Sequence, residues 1–214
     1  MRPTSGSKTL FLAGSLTALL LAGTARASTV TGSIWENDPT GATNAIPANV
    51  PITPPDVTFS APTPLNFASG GLYTIGEFLA SGNGSTVLSG SSQLGNTLDN
   101  TLFNFVGTVS VTNGETFTAG HDDGLTLTIG GITVISTPGP TAFVLTTETY
   151  TGPSGTFPFQ LVYGECCSAP ADLSISLPFQ SVPEPSSALL VGLVLLGFGA
   201  GFRSKLVYKP RRAQ

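Results

Sequence analysis

The stretch GTVSVTNGETFTAGHDDGLTLTIGGITVI, residues 107–135, decides the fold. Apolar and polar residues alternate through Val109-Ser110-Val111, Leu125-Thr126-Leu127-Thr128-Ile129 and Ile132-Thr133-Val134-Ile135. A period of two is the signature of a half-buried strand. Asn113-Gly114 lies between the first of these runs and Thr116-Phe117-Thr118, and Gly130-Gly131 separates the other two. Both dipeptides are tight-hairpin signals, because such turns need residues that tolerate positive φ.

Outward from this stretch the same alternation predicts strands at Thr74 to Leu79, Thr101 to Val111, Phe159 to Tyr163 and Leu173 to Leu177. No segment from Val30 to Leu177 sustains a helical period. Short strands at regular spacing predict an all-β chain, an antiparallel β-sandwich of jelly-roll type. Residues Pro39 to Pro64 are Pro-rich and read as an irregular wrap, and Ser81 to Gly95 read as a Gly/Ser-rich loop. No internal repeat is visible.

The charges are segregated. All eight basic residues lie at the ends: Arg2, Lys8, Arg26, Arg203, Lys205, Lys209, Arg211 and Arg212. All twelve acidic residues lie between them, and only Glu184 belongs to the C-terminal tail, which leaves eleven carboxylates, no Lys or Arg and the single His121 in the middle. Such a domain repels phosphate backbones, which excludes nucleic acid as a partner. It forms no ordinary salt bridge, so bound cations are its natural counter-charge.

The ends read as targeting segments. Arg2 and Lys8 form a basic head, Leu10 to Ala22 an apolar stretch, and Ala25-Arg26-Ala27 a small-x-small cleavage site. This predicts a signal peptide over 1–27, cut between Ala27 and Ser28. A second apolar run, Ala188 to Phe202, is followed at once by Arg203 and Lys205. Its fifteen residues rise about 22 Å as a helix against roughly 30 Å of hydrocarbon, so flanking residues must help it span. The basic end, 203–214, matches a cytoplasmic stop-transfer flank. The expected topology is a β-domain over 28–180 outside the inner membrane and a C-terminus inside.

Just before that run stands Val182-Pro183-Glu184-Pro185-Ser186-Ser187. Pro-Glu-Pro, a short apolar helix and a terminal basic cluster, in that order over 181–214, resemble the PEP-CTERM sorting tail of Gram-negative bacteria. The resemblance implies an exported protein whose Val182, Pro183, Glu184 and Pro185 are read by an exosortase, a membrane-embedded transpeptidase-like enzyme. It further implies release to the cell surface or matrix, in bacteria that make exopolysaccharide and biofilm. Two prolines keep this peptide extended and out of helix or sheet.

In the middle domain, Gly107 to Leu177 resembles the protective-antigen-type (PA-fourteen) β-sandwich. The resemblance is carried by Gly-x-Val-x-Val-x-Asn-Gly-x-x-Phe, by His121-Asp122-Asp123-Gly124 with its strand and Gly hairpin, and by later strands holding Tyr163 and Leu173 to Leu177. It implies a carbohydrate-facing module. In lectin members the matching two aspartates, joined by a cis peptide, hold Ca²⁺ against sugar hydroxyls. Those members add an Asn from a later loop, whereas no Asn follows Asn113 here; Glu165 and Asp172 are the acidic stand-ins.

Read without the resemblance, adjacent Asp122 and Asp123 with no Lys or Arg nearby either share a hard cation such as Ca²⁺ or cap a turn in which Gly124 takes positive φ. His121 lacks a nucleophile or orienting partner in any motif and reads as a polar loop residue. Neighbouring carboxylates cannot flank a glycosidic bond, so the expected function is binding rather than catalysis, with a glycan hydrolase and a ligand-free structural module as the alternatives. Cys166 and Cys167 are the only cysteines. In an oxidising compartment they form either a disulfide between neighbours or a pair of free or intermolecular thiols. One His and no Cys-x-x-Cys argue against zinc. Trp35 is expected in the core.

Overall fold

Along Thr101–Val111 the residues Phe103, Phe105, Val109 and Val111 are buried on one side of the strand, and this face opens the core. A computed structural model describes residues 29–178. The strands are β1 (Thr29–Trp35), β2 (Val57–Pro62), β3 (Leu65–Ala68), β4 (Thr86–Ser89), β5 (Thr101–Val111), β6 (Thr116–Asp122), β7 (Leu125–Ile129), β8 (Ile132–Thr137), β9 (Val144–Thr149), β10 (Gly155–Glu165) and β11 (Asp172–Ile175). They form a seven-stranded sheet in the order β4-β2-β1-β5-β10-β7-β8 and a four-stranded sheet in the order β3-β11-β6-β9, every pairing antiparallel. The predicted antiparallel sandwich is the observed fold.

Aromatic rings join the two layers. Phe67 of β3 packs edge-on against Phe59 of β2 at 6.3 Å between ring centroids, tilts against Phe105 of β5 at 5.7 Å and stacks on Phe78 at 5.0 Å. Each ring removed from water contributes about 1.5–3 kcal/mol. The outer face of the larger sheet is partly covered too: Leu102 and Val162 pack with Ala45 beneath Val50. Trp35 is buried, as expected, and its indole N–H donates to the Thr53 carbonyl at 2.9 Å.

Several segments differ from the sequence reading. Thr74 to Leu79, predicted as a strand, is instead the cap and first turns of α2 (Ile75–Ser81), the helix that follows α1 (Pro39–Thr43) in the chain. Thr74 caps α2 by accepting the Glu77 N–H at 3.2 Å, and the buried Ile75, Phe78 and Leu79 follow the i, i+3, i+4 spacing of a helix face. The supposed wrap of Pro39 to Pro64 holds α1, capped by Asp38 with Pro39 at its start, and β2, where Val57, Phe59 and Ala61 alternate inward. The supposed loop of Ser81 to Gly95 holds β4. Strands β1, β3 and β9 were not predicted. In β1, Gly32 interrupts the apolar pattern because the Phe59 ring lies against its backbone and leaves no room for a Cβ.

Of the two expected hairpins, only Gly130-Gly131 is one. Both glycines have positive φ (+58° and +81°), Ile129 faces Ile132, and β7 pairs with β8. Asn113-Gly114 instead carries the chain from β5 in one sheet to β6 in the other. Of the two residues, Gly114 alone has positive φ, and the Asn113 side chain donates to the carbonyls of Thr151 and Gly152 at 3.0 and 2.8 Å. That geometry pins a corner between layers.

The cleavage site Ala27 and Ser28, the motif Val182 to Pro185, the apolar run 188–202 and the flanking Arg203 and Lys205 lie outside the described residues. Among the described residues no helix is long and apolar enough to cross a membrane.

Candidate functional site

Strand β6 ends at Asp122, and the next residues cross from the smaller sheet to β7 in the larger one, so Asp122 and Asp123 sit at one end of the sandwich. The peptide bond between them is cis. Gly124 does not adopt positive φ; it is glycine because any Cβ would collide with the Pro138 carbonyl oxygen. Together with Thr141, Cys166, Cys167 and Ser168, the two aspartates line an open cleft of about 380 Å³.

Backbone amides take the place of basic side chains. Asp123 accepts the Thr141 N–H on Oδ1 and the Cys166 N–H on Oδ2, both at 2.9 Å. Asp122 accepts the backbone N–H of Phe143, and Asp99 accepts that of Ser168 at 3.2 Å. Asp122 also faces Asp172 across the β6–β11 ladder. Burial pushes the Asp122 carboxyl above its ordinary range, the neighbouring charges of Asp123 and Asp172 add to this, and the Phe143 amide opposes it. Asp172 is raised by burial as well.

His121 is not a loop residue. It is fully buried at the end of β6, where inward alternation after Phe117 and Ala119 puts it. Its Nδ1 is 2.5 Å from the Asp123 carbonyl oxygen, which can only accept, so Nδ1 carries the proton. Nε2, 2.9 Å from Thr146 Oγ1, accepts from that hydroxyl in the neutral ring. Burial lowers its pKa and keeps it neutral. The histidine thus anchors the backbone of the aspartate pair.

Behind the aspartates lies a polar cluster that joins distant parts of the sequence. Tyr73 donates to Glu165 Oε1 at 2.6 Å, and the Tyr163 hydroxyl lies 2.7 Å from Glu165 Oε2 while also bonding the Asp122 carbonyl. Glu165 is fully buried, and desolvation pushes its pKa from the ordinary 4.5 up to about 8, against the opposing tyrosine hydrogen bonds and with help from the charges of Asp123 and Asp122. The geometry agrees. A phenol has one proton, so a protonated Glu165 donating from Oε2 to Tyr163 frees Tyr163 to donate to Asp122. Burial likewise pushes both phenols up.

Of the two stand-ins for the missing Asn, Glu165 therefore has both oxygens committed to tyrosines, and Asp172 lies beside Asp122 but outside the cleft lining. What remains in the cleft is two carboxylates with unused lone pairs, beside Thr141 and Ser168, a donor set of the hard-oxygen kind that could hold a cation. Cys166 and Cys167 are joined as a disulfide, with Cys166 buried and Cys167 exposed. Sequence reasoning missed Tyr73, Thr141 and Phe143. Tyr73 meets Glu165 across 92 positions, and no local pattern reports such a contact.

The fold and site define an antiparallel β-sandwich with an acidic cleft at one end. Residues 181–205 match the family described as the PEP-CTERM protein-sorting motif. The tail read from Val182 to Lys205 is thus a sorting motif of that kind, and it marks the chain as an exported, sorted protein. No curated protein matches the chain. Two solved structures are similar: the PA14 domain of the MpAFP antifreeze protein, 20% identical over 73% of this chain and 85% of that one with a TM-score of 0.48, and a PA14 sugar-binding domain from an RTX adhesin, 18% identical over 70% and 87% with a TM-score of 0.49.

The raised Glu165 pKa has a defined consequence. The folded chain holds a proton that the unfolded chain releases above its lower pKa, so this group's contribution is full below about pH 4.5 and is lost as pH rises to about 8. Glu165→Gln should flatten the fall in thermal midpoint across that window, measured from pH 4 to 9 in both chains. His121, whose lowered pKa acts with the opposite sign below its ordinary 6.5, is present in both and cancels in the difference. Parallel curves would show that folding leaves the Glu165 pKa unraised.

Proposed function

We propose that this chain is a surface or matrix protein whose sandwich binds neutral glycan through a Ca²⁺ ion held by Asp122 and Asp123. The carrying observation is the pair of nearly buried carboxylates lining one cleft, in a domain of eleven carboxylates without a single Lys or Arg. Two adjacent anions in that setting repel unless a cation sits between them or one takes a proton. The resemblance of His121 to Gly131 to the protective-antigen-type motif supports the same reading. Bound Ca²⁺ would supply a Lewis-acidic centre whose remaining positions can exchange water for vicinal hydroxyls. The protein's own part is to orient: Thr141 and Cys166 amides fix Asp123, the Phe143 amide fixes Asp122, and His121 and Tyr163 hold the backbone carbonyls of Asp123 and Asp122.

The full chain in detergent, titrated with Ca²⁺, should gain about 2.7 kcal/mol at a hundredfold excess over Kd, equal to a rise of about 5–11 °C in Tm. Asp122→Asn with Asp123→Asn should abolish the rise, and a glycan array should show binding only with Ca²⁺. An unchanged Tm at millimolar Ca²⁺ would sink the cation reading; glycan binding that persists in chelator would detach it from the ligand.

The sorting reading extends the tail match to a partner and a route. Before processing, the inner membrane anchors the chain through 188–202 with the domain in the periplasm, and an exosortase acts at Val182 to Pro185. Fractionation of cells with and without exosortase should show a shortened, released form in the first and a full-length membrane form in the second. The same full-length membrane form in both strains would refute it.

A further inference from the structure

We propose that Asp123, Cys166 and Cys167 form a second kind of metal site, opened by reduction and selective for a thiophilic ion such as Zn²⁺. The carboxylate oxygen of Asp123 and both sulfurs lie within 4.8 Å of one another. Ligand atoms of a tetrahedral zinc sit about 3.3–3.8 Å apart, given Zn–S near 2.3 Å and Zn–O near 2.0 Å, so once reduction frees the sulfurs to separate, side-chain rotation can bring all three to one ion. The open cleft lined by these residues leaves a fourth position for water. One His and no Cys-x-x-Cys leave zinc without spaced ligands in the sequence, and the carboxylate comes instead from 43 positions away, held by the Cys166 amide.

In the disulfide state the sulfurs cannot serve as thiolates, and the cleft presents hard oxygens only. Two equivalents of a thiol reductant convert the bond to two cysteine thiols and leave the reductant as its own disulfide. Attack falls on the exposed Cys167 sulfur and expels Cys166, which is 1% exposed. Thiolate at Cys166 beside the Asp123 carboxylate is repelled, with no Lys or Arg in residues 29–178 to relieve it. A divalent ion relieves that repulsion, and binding releases one proton from each thiol. The chain has no other cysteine, so the reduced pair has no intramolecular disulfide partner except itself. The proposal stands independently of Ca²⁺ and glycan binding.

The test is Zn²⁺ titration of the full chain, oxidised and after anaerobic reduction with a phosphine that is then removed. The expected result is one Zn²⁺ per reduced chain, about two protons released, and at least tenfold weaker binding by the oxidised chain. Asp123→Asn should weaken the reduced site at least tenfold. Because that variant loses two amide bonds and can misfold, Co²⁺ in the reduced wild-type chain gives a second reading: thiolate charge-transfer bands and a tetrahedral d–d spectrum, both abolished by iodoacetamide. Equal zinc affinity in both redox states, or an octahedral Co²⁺ spectrum without thiolate bands, would overturn the proposal. So would a folded Asp123→Asn chain that binds like wild type.

Discussion

A domain with eleven carboxylates and no Lys or Arg must stabilise every negative charge without a salt bridge, and the architecture of one end of the sandwich follows from that constraint. Two devices are visible. Backbone amides of Thr141, Phe143, Cys166 and Ser168 serve Asp123, Asp122 and Asp99. Tyrosine hydroxyls and a raised pKa keep Glu165 in the interior, where a bare charge would cost several kcal/mol. Asp122 and Asp123 line the open cleft, where the proposed Ca²⁺ would be a third. The same devices fix geometry: each amide that lowers the cost of a charge also holds a loop to the strand end it faces.

The strands with strict alternation and clear turn chemistry were legible in the sequence. Thr101 to Val111 and Leu125 to Ile129 have the observed bounds, and Gly130-Gly131 makes the expected turn. Errors came where tertiary packing or layer assignment overrode a local pattern. The Thr74 to Leu79 run is too short to sustain a helical period in the sequence, and the cap from Thr74 to Glu77 with Ile75, Phe78 and Leu79 on one buried face makes it helix. Asn113-Gly114 carries a hairpin signal, but its flanking strands belong to different sheets, which sequence spacing cannot reveal. At the site, Asp122 and Asp123 stood out because their chemistry is local and unbalanced. Tyr73 and the burial of His121 did not, because both depend on partners brought in from elsewhere in the chain.

The tail and the domain are complementary in charge. Every basic residue beyond Ala27 lies after Phe202, so separating the sorting motif from the domain leaves a product with no basic side chain to hold it to an anionic membrane surface.

A divalent cation at Asp122 and Asp123 is proposed to complete the acidic end of the sandwich. Crystals of the chain grown in Ca²⁺ and measured for anomalous scattering test it directly. A peak is expected within bonding distance of carboxylate oxygens from both residues, in the cleft beside Thr141 and Ser168. A saturated crystal with no peak there, or with its ion at other carboxylates, would contradict it.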